Sequence, residues 1–412
     1  MTASHATLPH GSVTSPRDFA AAAAHAGLKS DGALDVALLV SARQCHTAGV
    51  FTRNAVRAAP VLYDEQLLSS HADEIRAVAM NARIANACTG AEGLEAAQAM
   101  ARAAEEAADL PGHSALVLST GVIGVPLPVA QVAAGLREAG TRLNTGAAAG
   151  VQAARAIMTT DTRPKHCAVE LATEHGPIVV GGIAKGAGMI HPDMATLLVV
   201  LTTDADVRAS VLSPLLARVT DRTFNSISVD GDTSTNDTVL LLANGASGVR
   251  VGAGDALAAQ FEAAVFEVAR TLALAVVADG EGATKVLEIQ VTGAASEADA
   301  RAVGRAIARS ALVKTAIYGA DPNWGRVLAA AGAAGVSLAD ERLSLAVQDG
   351  PSWVPLAVNG ATAHPDPDAA RHAFEQKTIR LRLDLAAGRS EAVVWTCDLT
   401  PDYVRINASY TS

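Results

Sequence analysis

Residues 195–201, Ala-Thr-Leu-Leu-Val-Val-Leu, are apolar on both alternating faces. In a strand, successive side chains point to opposite sides, so a run of this kind leaves no face for water. The apolar stretch from Met194 to Thr202 is also far too short to span a bilayer, which takes about 20 helical residues. It therefore reads as a fully buried strand, and the rest of the chain must supply the layers that cover it.

Strand-like and helix-like patterns do alternate along the sequence, with no repeat of fixed period. Residues 35–40 and 114–119 read as buried strands that end at turns or loops. Leu94 to Ala108 is rich in Ala and Glu at helical spacing. Residues 167–173 and 178–182 flank His175-Gly176-Pro177, which predicts a hairpin. A helix is expected from Pro214 to Thr223, with Ser213 as N-cap and Pro214 at the first helical position. A second, mostly apolar helix from Asp255 to Val277 should lie between layers. A strand at 286–291, a helix at 297–311 and further C-terminal strands complete a layered α/β pattern. Gly-rich or polar stretches at 140–150 and 245–254 are candidate connections.

With 412 residues, 50% of them hydrophobic, the chain can bury two or three cores. Aromatic residues make up only 3%, so Ala, Val and Leu must fill those cores and backbones must approach closely. A formal charge of −10, with Lys and Arg dispersed, argues against nucleic acid or an anionic membrane as partner. The start, Met1-Thr2-Ala3-Ser4-His5, has neither a basic segment nor an apolar core of a secretion signal. Cys45, Cys88, Cys167 and Cys397 lie far apart and read as reduced thiols of a cytoplasmic protein. His10, His46 and His166 lack ligand spacing and His191 stands alone beside Pro192, so no metal is expected.

The densest anomaly is residues 181–196, where Gly181, Gly182, Gly186 and Gly188 surround Lys185 just before the apolar strand. Glycines at such density let another chain or a ligand approach the backbone. A phosphate loop would need G-x4-G-K-[ST], and Lys185 precedes Gly186 instead of following the last glycine. A Gly-rich turn entering a strand is also an ordinary structural feature, so spacing alone leaves both readings open.

Lys185-Gly-Ala-Gly-Met-Ile-His-Pro-Asp-Met-Ala-Thr196 resembles the cleavage-site signature of the ornithine acetyltransferase (glutamate N-acetyltransferase) family of arginine biosynthesis. Seven other blocks look like that family in the same order: 48–60, 119–124, 157–162, 225–238, 281–285, 318–326 and 403–407. The resemblance implies an N-terminal-nucleophile-type α/β sandwich with a smaller second domain. It also implies self-cleavage at Ala195–Thr196, giving chains 1–195 and 196–412 that fold together, as an α2β2 assembly. Mid-chain threonine is a poor nucleophile because its hydroxyl lacks a base. Cleavage would free an α-amine, with a pKa of about 8, within reach of that hydroxyl. Thr196 would then carry the acetyl group in a ping-pong exchange between N2-acetylornithine and L-glutamate.

By the same resemblance, the Thr120 hydroxyl and the Gly121 N–H serve the oxyanion. Thr159 or Thr160, Lys185, Thr196, Glu281, Asn407 and Ser412 line the substrate pocket. No cofactor is implied, although acetyl-CoA is a co-substrate of some members. Two departures stand out: Ala82-Arg83-Ile84 where the family usually has Ser-Gly-Asn, and Asp193 where Asn is common. They bear on substrate preference and processing rate, and fit a paralogue of secondary metabolism as well as the arginine pathway. The competing expectations are an aminopeptidase or amidohydrolase built on the same threonine, with water as acceptor, and an uncut binding paralogue.

Overall fold

The computed structural model describes residues 5–191 and 197–409. Ala195, Thr196 and Ser412, and also Asp193, lie outside the described residues.

The first half of the chain gives strands β1 (His5–Thr7), β2 (Phe19–Ala24), β3 (Val36–Phe51), β4 (Ile75–Asn81), β5 (Ala115–Ser119), β6 (Lys165–Leu171) and β7 (Ile178–Lys185). The second half gives β8 (Leu198–Thr203), β9 (Ile227–Ser228), β10 (Thr238–Ala243), β11 (Val286–Ala294), β12 (Ser344–Asp349), β13 (Ser352–Val358), β14 (Ala361–Thr362), β15 (Thr378–Asp384) and β16 (Ser390–Cys397). Helices α1 (Ala59–His71), α2 (Gly90–Ala107), α3 (Val129–Gly140), α4 (Ala147–Ala156), α5 (Ala209–Arg222) and α6 (Ala256–Ala278) belong to the first sheet. Helices α7 (Glu297–Ala308), α8 (Ala311–Tyr318), α9 (Trp324–Gly332), α10 (Pro367–Glu375) and α11 (Pro401–Ser409) follow.

Among the described residues, the first sheet runs β1-β6-β7-β8-β10-β3-β4-β5, with β2 paired to β3. Its pivot is the long strand β3. Residues 36–41 of β3 pair with β2, and 36–40 with β4, whereas residues 46–51 pair with β10. A register shift between Val40 and Cys45 separates the two parts, so the sheet turns back on itself as two facing half-sheets. The alternation of side chains follows from this. Leu198 and Val200 of β8 meet Leu39, Val78, Met80, Leu116 and Leu118 in the core between the half-sheets. Val199 and Leu201 point the other way, against α5 and α6. Ala77, Ala79, Ala115 and Val117 point outward against α2 and α3. The layers are thus helix, sheet, sheet, helix, and residues 198–201, the described part of the apolar run that forms β8, are covered on both faces.

Scarcity of aromatics is matched by close backbone approach. A Cβ on Gly182 would lie 2.7 Å from Leu201 and 2.9 Å from Leu272 of α6. The second sheet, β14-β13-β12-β15-β11-β16-β9, packs with α7 to α10 around its own smaller core. It joins the first unit through the parallel pairing of Trp395 with Ile227. No helix among the described residues is long and apolar enough to cross a membrane.

The predicted hairpin is β6–β7, in antiparallel register from Lys165–Ala184 to Leu171–Ile178. Three local expectations are corrected. Helix α5 starts at Ala209, so Ser213 is not its cap, and the Ser213 hydroxyl donates to the Ala209 carbonyl inside the helix. Pro214 is tolerated in the second turn because Leu212, Leu215, Leu216 and Val219 bury one stripe, which offsets one lost hydrogen bond. The helix expected at 297–311 stops at Ala308, since the Ser310 hydroxyl caps α8 by accepting from the Val313 N–H. The connection expected at 140–150 is helical from Ala147 onward.

Leu240 of β10 is fully buried between the half-sheets. Leu240→Ala should lower stability by about 2–5 kcal/mol, because transfer and cavity terms add. Urea denaturation followed by far-UV circular dichroism checks this.

Candidate active site

The site begins where β4 and β5 end side by side. At these ends the Asn81 side chain accepts from the Ser119 hydroxyl (2.6 Å) and donates to the Ile84 carbonyl (2.9 Å). The chain after Ser119 turns sharply, with Gly121 at φ +132°. A Cβ there would sit 2.1 Å from the Arg83 carbonyl carbon, so only glycine fits. The Thr120 and Val122 N–H groups donate to Asn81 and Arg83. The Gly121 N–H has no hydrogen-bond partner among the described residues. The Asn236 amide closes the turn from the other side, donating to the Ala85 (2.7 Å) and Ser119 (2.9 Å) carbonyls.

Lys185, the last residue of β7, reaches this turn. Its buried ammonium donates to the hydroxyls of Thr159 (2.9 Å) and Thr120 (3.3 Å). Behind it, Asp161 lies 4.0 Å from Lys185 Nζ and accepts from Lys165 Nζ (2.6 Å), Gly186 N–H (2.8 Å) and Thr159 N–H (3.0 Å). Lys165 also pairs with Asp279 at 2.5 Å, and Asp279 accepts from the Thr162 hydroxyl. Burial alone would raise the Asp161 pKa, but the ammoniums of Lys185 and Lys165 outweigh it and hold the carboxyl at about 2. Burial also pulls the Lys185 ammonium below its ordinary pKa, with Asp161 working against that fall.

Two residues after Asp279 comes Glu281, whose N–H donates to the Ala187 carbonyl (2.8 Å). The Asn407 amide of α11 donates to Glu281 Oε2 at 2.8 Å. Gly188 leaves room for that carboxylate, since a Cβ there would meet it at 2.5 Å.

The loop that enters residue 192 is held from several sides. Asp230 accepts from the Met189 (2.6 Å) and Ile190 (2.8 Å) N–H groups. The Val229 N–H donates to the Ile190 carbonyl, and the His191 ring meets the Ser228 hydroxyl at 3.1 Å. Met189 takes φ 56°, a left-handed conformation that costs a non-glycine residue about 1–2 kcal/mol. On the far side, the Leu197 N–H donates to Asp237 at 2.9 Å.

Thr120, Gly121, Thr159, Thr160, Lys185, Glu281 and Asn407 therefore line one cavity. Ala195, Thr196 and Ser412 fall outside the described residues, whereas His191 and Leu197 flank the first two. The cavity also takes in Ala85, Ile123, Gly188, Met189, Ser234, Thr235 and Asn236, for which the sequence reading had no role. The density of Ser, Thr, Asn and Asp over 225–238 was the available signal for the last three. Lys165 and Asp279 carried no such signal, because their pairing spans 114 residues.

A model of the ArgJ family matches residues 20–412. The chain belongs to the ArgJ family. It is 47% identical to the arginine biosynthesis bifunctional protein ArgJ of Symbiobacterium thermophilum, over 97% of this chain and 98% of that one. The same-named protein of Thermotoga neapolitana is 45% identical over 96% and 99% of the two chains. Among solved structures, argJ from Bacillus halodurans is 39% identical over 51% of this chain and 98% of that one, with a TM-score of 0.49. Ornithine acetyltransferase from Mycobacterium tuberculosis, solved with ornithine, is 38% identical over 46% and 98%, with a TM-score of 0.43.

The ion cluster makes a stability prediction. Lys165→Met removes the cation shared by Asp161 and Asp279, leaving Asp161 with Lys185 alone, and should cost about 3–5 kcal/mol at neutral pH. Because the folded Asp161 pKa is depressed, the stability it contributes is present above about pH 4 and is lost as pH falls through about 2. The gap between wild type and variant should therefore narrow from pH 4 downward, as read from denaturation midpoints at pH 7, 4 and 2.5.

Proposed function

We propose that the chain cuts itself between Ala195 and Thr196, and that Thr196 then moves an acetyl group from N2-acetylornithine to L-glutamate. The observation that carries this reading is the meeting of an ammonium, a carboxylate and a glycine turn in one cavity, which Gly188 and Met189 of the segment leading to the bond also line. The names of the relatives, and family membership over residues 20–412, support it.

In this reading the new α-amine takes the hydroxyl proton as Thr196 oxygen attacks the acetyl carbonyl. The tetrahedral oxyanion faces the Thr120 hydroxyl and the Gly121 N–H, donors of a kind whose loss costs about 3 kcal/mol of barrier. The Lys185 ammonium pairs with the α-carboxylate that both amino acids carry. Glu281, steadied by Asn407, pairs with the ornithine ammonium, and Thr159 and Ser412 complete the pocket. Ornithine leaves with its proton, and the glutamate amine then attacks the acetyl-threonine ester.

No cofactor takes part, and acetyl-CoA serves as a second donor, in keeping with the word bifunctional in the relatives' names. The two fragments, 1–195 and 196–412, stay together as α2β2 in the cytoplasm. An aminopeptidase or amidohydrolase with water as acceptor is not favoured by the family relationship.

Intact mass under denaturing conditions should give two fragments for the wild type and one uncut chain for Thr196→Ala. A single uncut chain in both would overturn the mechanism. With cut enzyme, Lys185→Met should raise KM for acetylornithine and for glutamate. Glu281→Gln should raise KM mainly for acetylornithine, by about tenfold or more if a charge-assisted contact worth 1.5–3 kcal/mol is lost. Transfer of labelled acetyl to glutamate, measured against release as acetate, separates acceptor from hydrolase chemistry.

A further inference from the structure

Asn236 reaches the cavity from the segment between β9 and β10, and its side chain is buried. Its amide nitrogen donates to the Ala85 carbonyl (2.7 Å) and to the Ser119 carbonyl (2.9 Å). Its side-chain oxygen accepts from the Thr235 hydroxyl at 2.6 Å. A carboxamide has two hydrogens to give, so none is left for a bound amino acid. Asn236 lines the cavity, yet it is spent on the walls.

The two carbonyls belong to the two pieces of chain that frame Gly121. The Ser119 carbonyl lies in the peptide whose N–H, at Thr120, donates to the Asn81 carbonyl at 3.1 Å. That peptide is held at both ends, by Asn81 and by Asn236. Ala85 lies on the facing piece, where its N–H donates to Val122 and the Val122 N–H donates to Arg83, both at 2.9 Å. Arg83 takes φ 74°, a left-handed torsion that a non-glycine residue keeps only when its surroundings hold it. Asn236 ties these two pieces to each other through one planar amide.

The segment that carries Asn236 is gripped in turn. Thr52 donates from its N–H to the Asp237 carbonyl (2.9 Å) and from its hydroxyl to the Ser234 carbonyl (2.8 Å). The Asn54 amide donates to the Thr233 carbonyl (3.1 Å), and the Ala58 N–H to the Thr235 carbonyl (2.9 Å). Residues 52–58 thus form a cradle for 233–237.

Resting on the reading of Thr120 and Gly121 as the oxyanion donors, we propose that Asn236 is the positioning residue that fixes this donor pair, with residues 52–58 as its support. The Gly121 N–H has no hydrogen-bond partner among the described residues, so the peptides on either side of it set its direction. Asn81 and Asn236 fix the peptide before it, and Arg83 fixes the one after. A donor that is already aimed need not reorganise as charge develops on the substrate, which is how such a site gains rate.

The test compares four full-length chains: wild type, Thr120→Ala, Asn236→Ala and the double variant. Acetyl transfer from N2-acetylornithine to glutamate gives kcat per cut chain, with the cut fraction counted by intact mass. Calorimetric titration with ornithine gives affinity. Asn236→Ala should lower kcat by about 100-fold, as expected for donors misplaced by about 1 Å, and keep ornithine affinity within about threefold. Ornithine binding weakened in step with kcat would mark general damage to the pocket and overturn the proposal. So would a kcat within about tenfold of wild type.

If Asn236 acts through the turn, the double variant should lose at least about tenfold less than the product of the single losses. A loss equal to that product would overturn the assignment. If Asn236→Ala fails to fold or to be cut, Asn236→Asp carries the same test with the same limits, being of equal size with at most one hydrogen to give. A Thr120→Ala kcat near wild type would overturn the oxyanion reading and this proposal with it. Failure of the Asn236 variants alone leaves that reading standing.

Discussion

Two buried ammonium groups and two buried carboxylates cluster at the base of the site, and much of the arrangement above them depends on their mutual neutralisation. Lys165 stands between Asp161 and Asp279, and Asp161 in turn faces Lys185. An isolated charge in this position would be driven to its neutral form, since desolvation outweighs what backbone dipoles return. Paired, the four groups hold three separate pieces of chain in fixed relation. Asp161 grips the backbone at Thr159 and Gly186, and Asp279 sits two residues before Glu281. The cation and the anion of the cavity are therefore set by one shared network.

The layered fold explains why such a network can be buried. Strands β8 and β10 are apolar on both faces, one face buried against α5 and α6 and the other against the second half-sheet. Polar groups are consequently pushed to strand ends. Lys185 ends β7, Ser119 ends β5, Asn81 ends β4, and Asp237 immediately precedes β10. The site is the place where these ends converge, beside central strands β8 and β10 whose residues are all buried.

How much of this was legible in the sequence follows from the distance over which each feature is determined. The double-faced apolar run announced a covered strand, and His175-Gly176-Pro177 announced the β6–β7 hairpin, because both depend on local pattern. Thr120, Gly121, Lys185, Glu281 and Asn407 were legible only through resemblance to a family, since nothing in their spacing brings residue 120 to residue 407. Ser213-Pro214 misled for a physical reason: a good local start signal was overridden by a helix that begins one turn earlier, at Ala209, and buries Leu212, Leu215, Leu216 and Val219. Lys165 and Asp279 were not legible at all. Each is an ordinary charged residue in sequence, and only folding reveals that both are buried and paired.

The turn at Gly121 and the clamps around residues 189 and 197 belong together in one argument. Gly121 cannot move toward Arg83, whose carbonyl a Cβ would already overlap, and its flanking N–H groups are both committed. Asp230 and Asp237 likewise commit the backbone on either side of 192–196, at Met189, Ile190 and Leu197. A bond to be broken, or an acyl group to be passed on, gains from partners that need not reorganise at the moment of reaction. The left-handed Met189 fits the same logic, because a residue holds an unfavourable torsion only when its surroundings over-determine it. Rigidity here is concentrated on both sides of one short segment, which is where chemistry on the Ala195–Thr196 bond would require it.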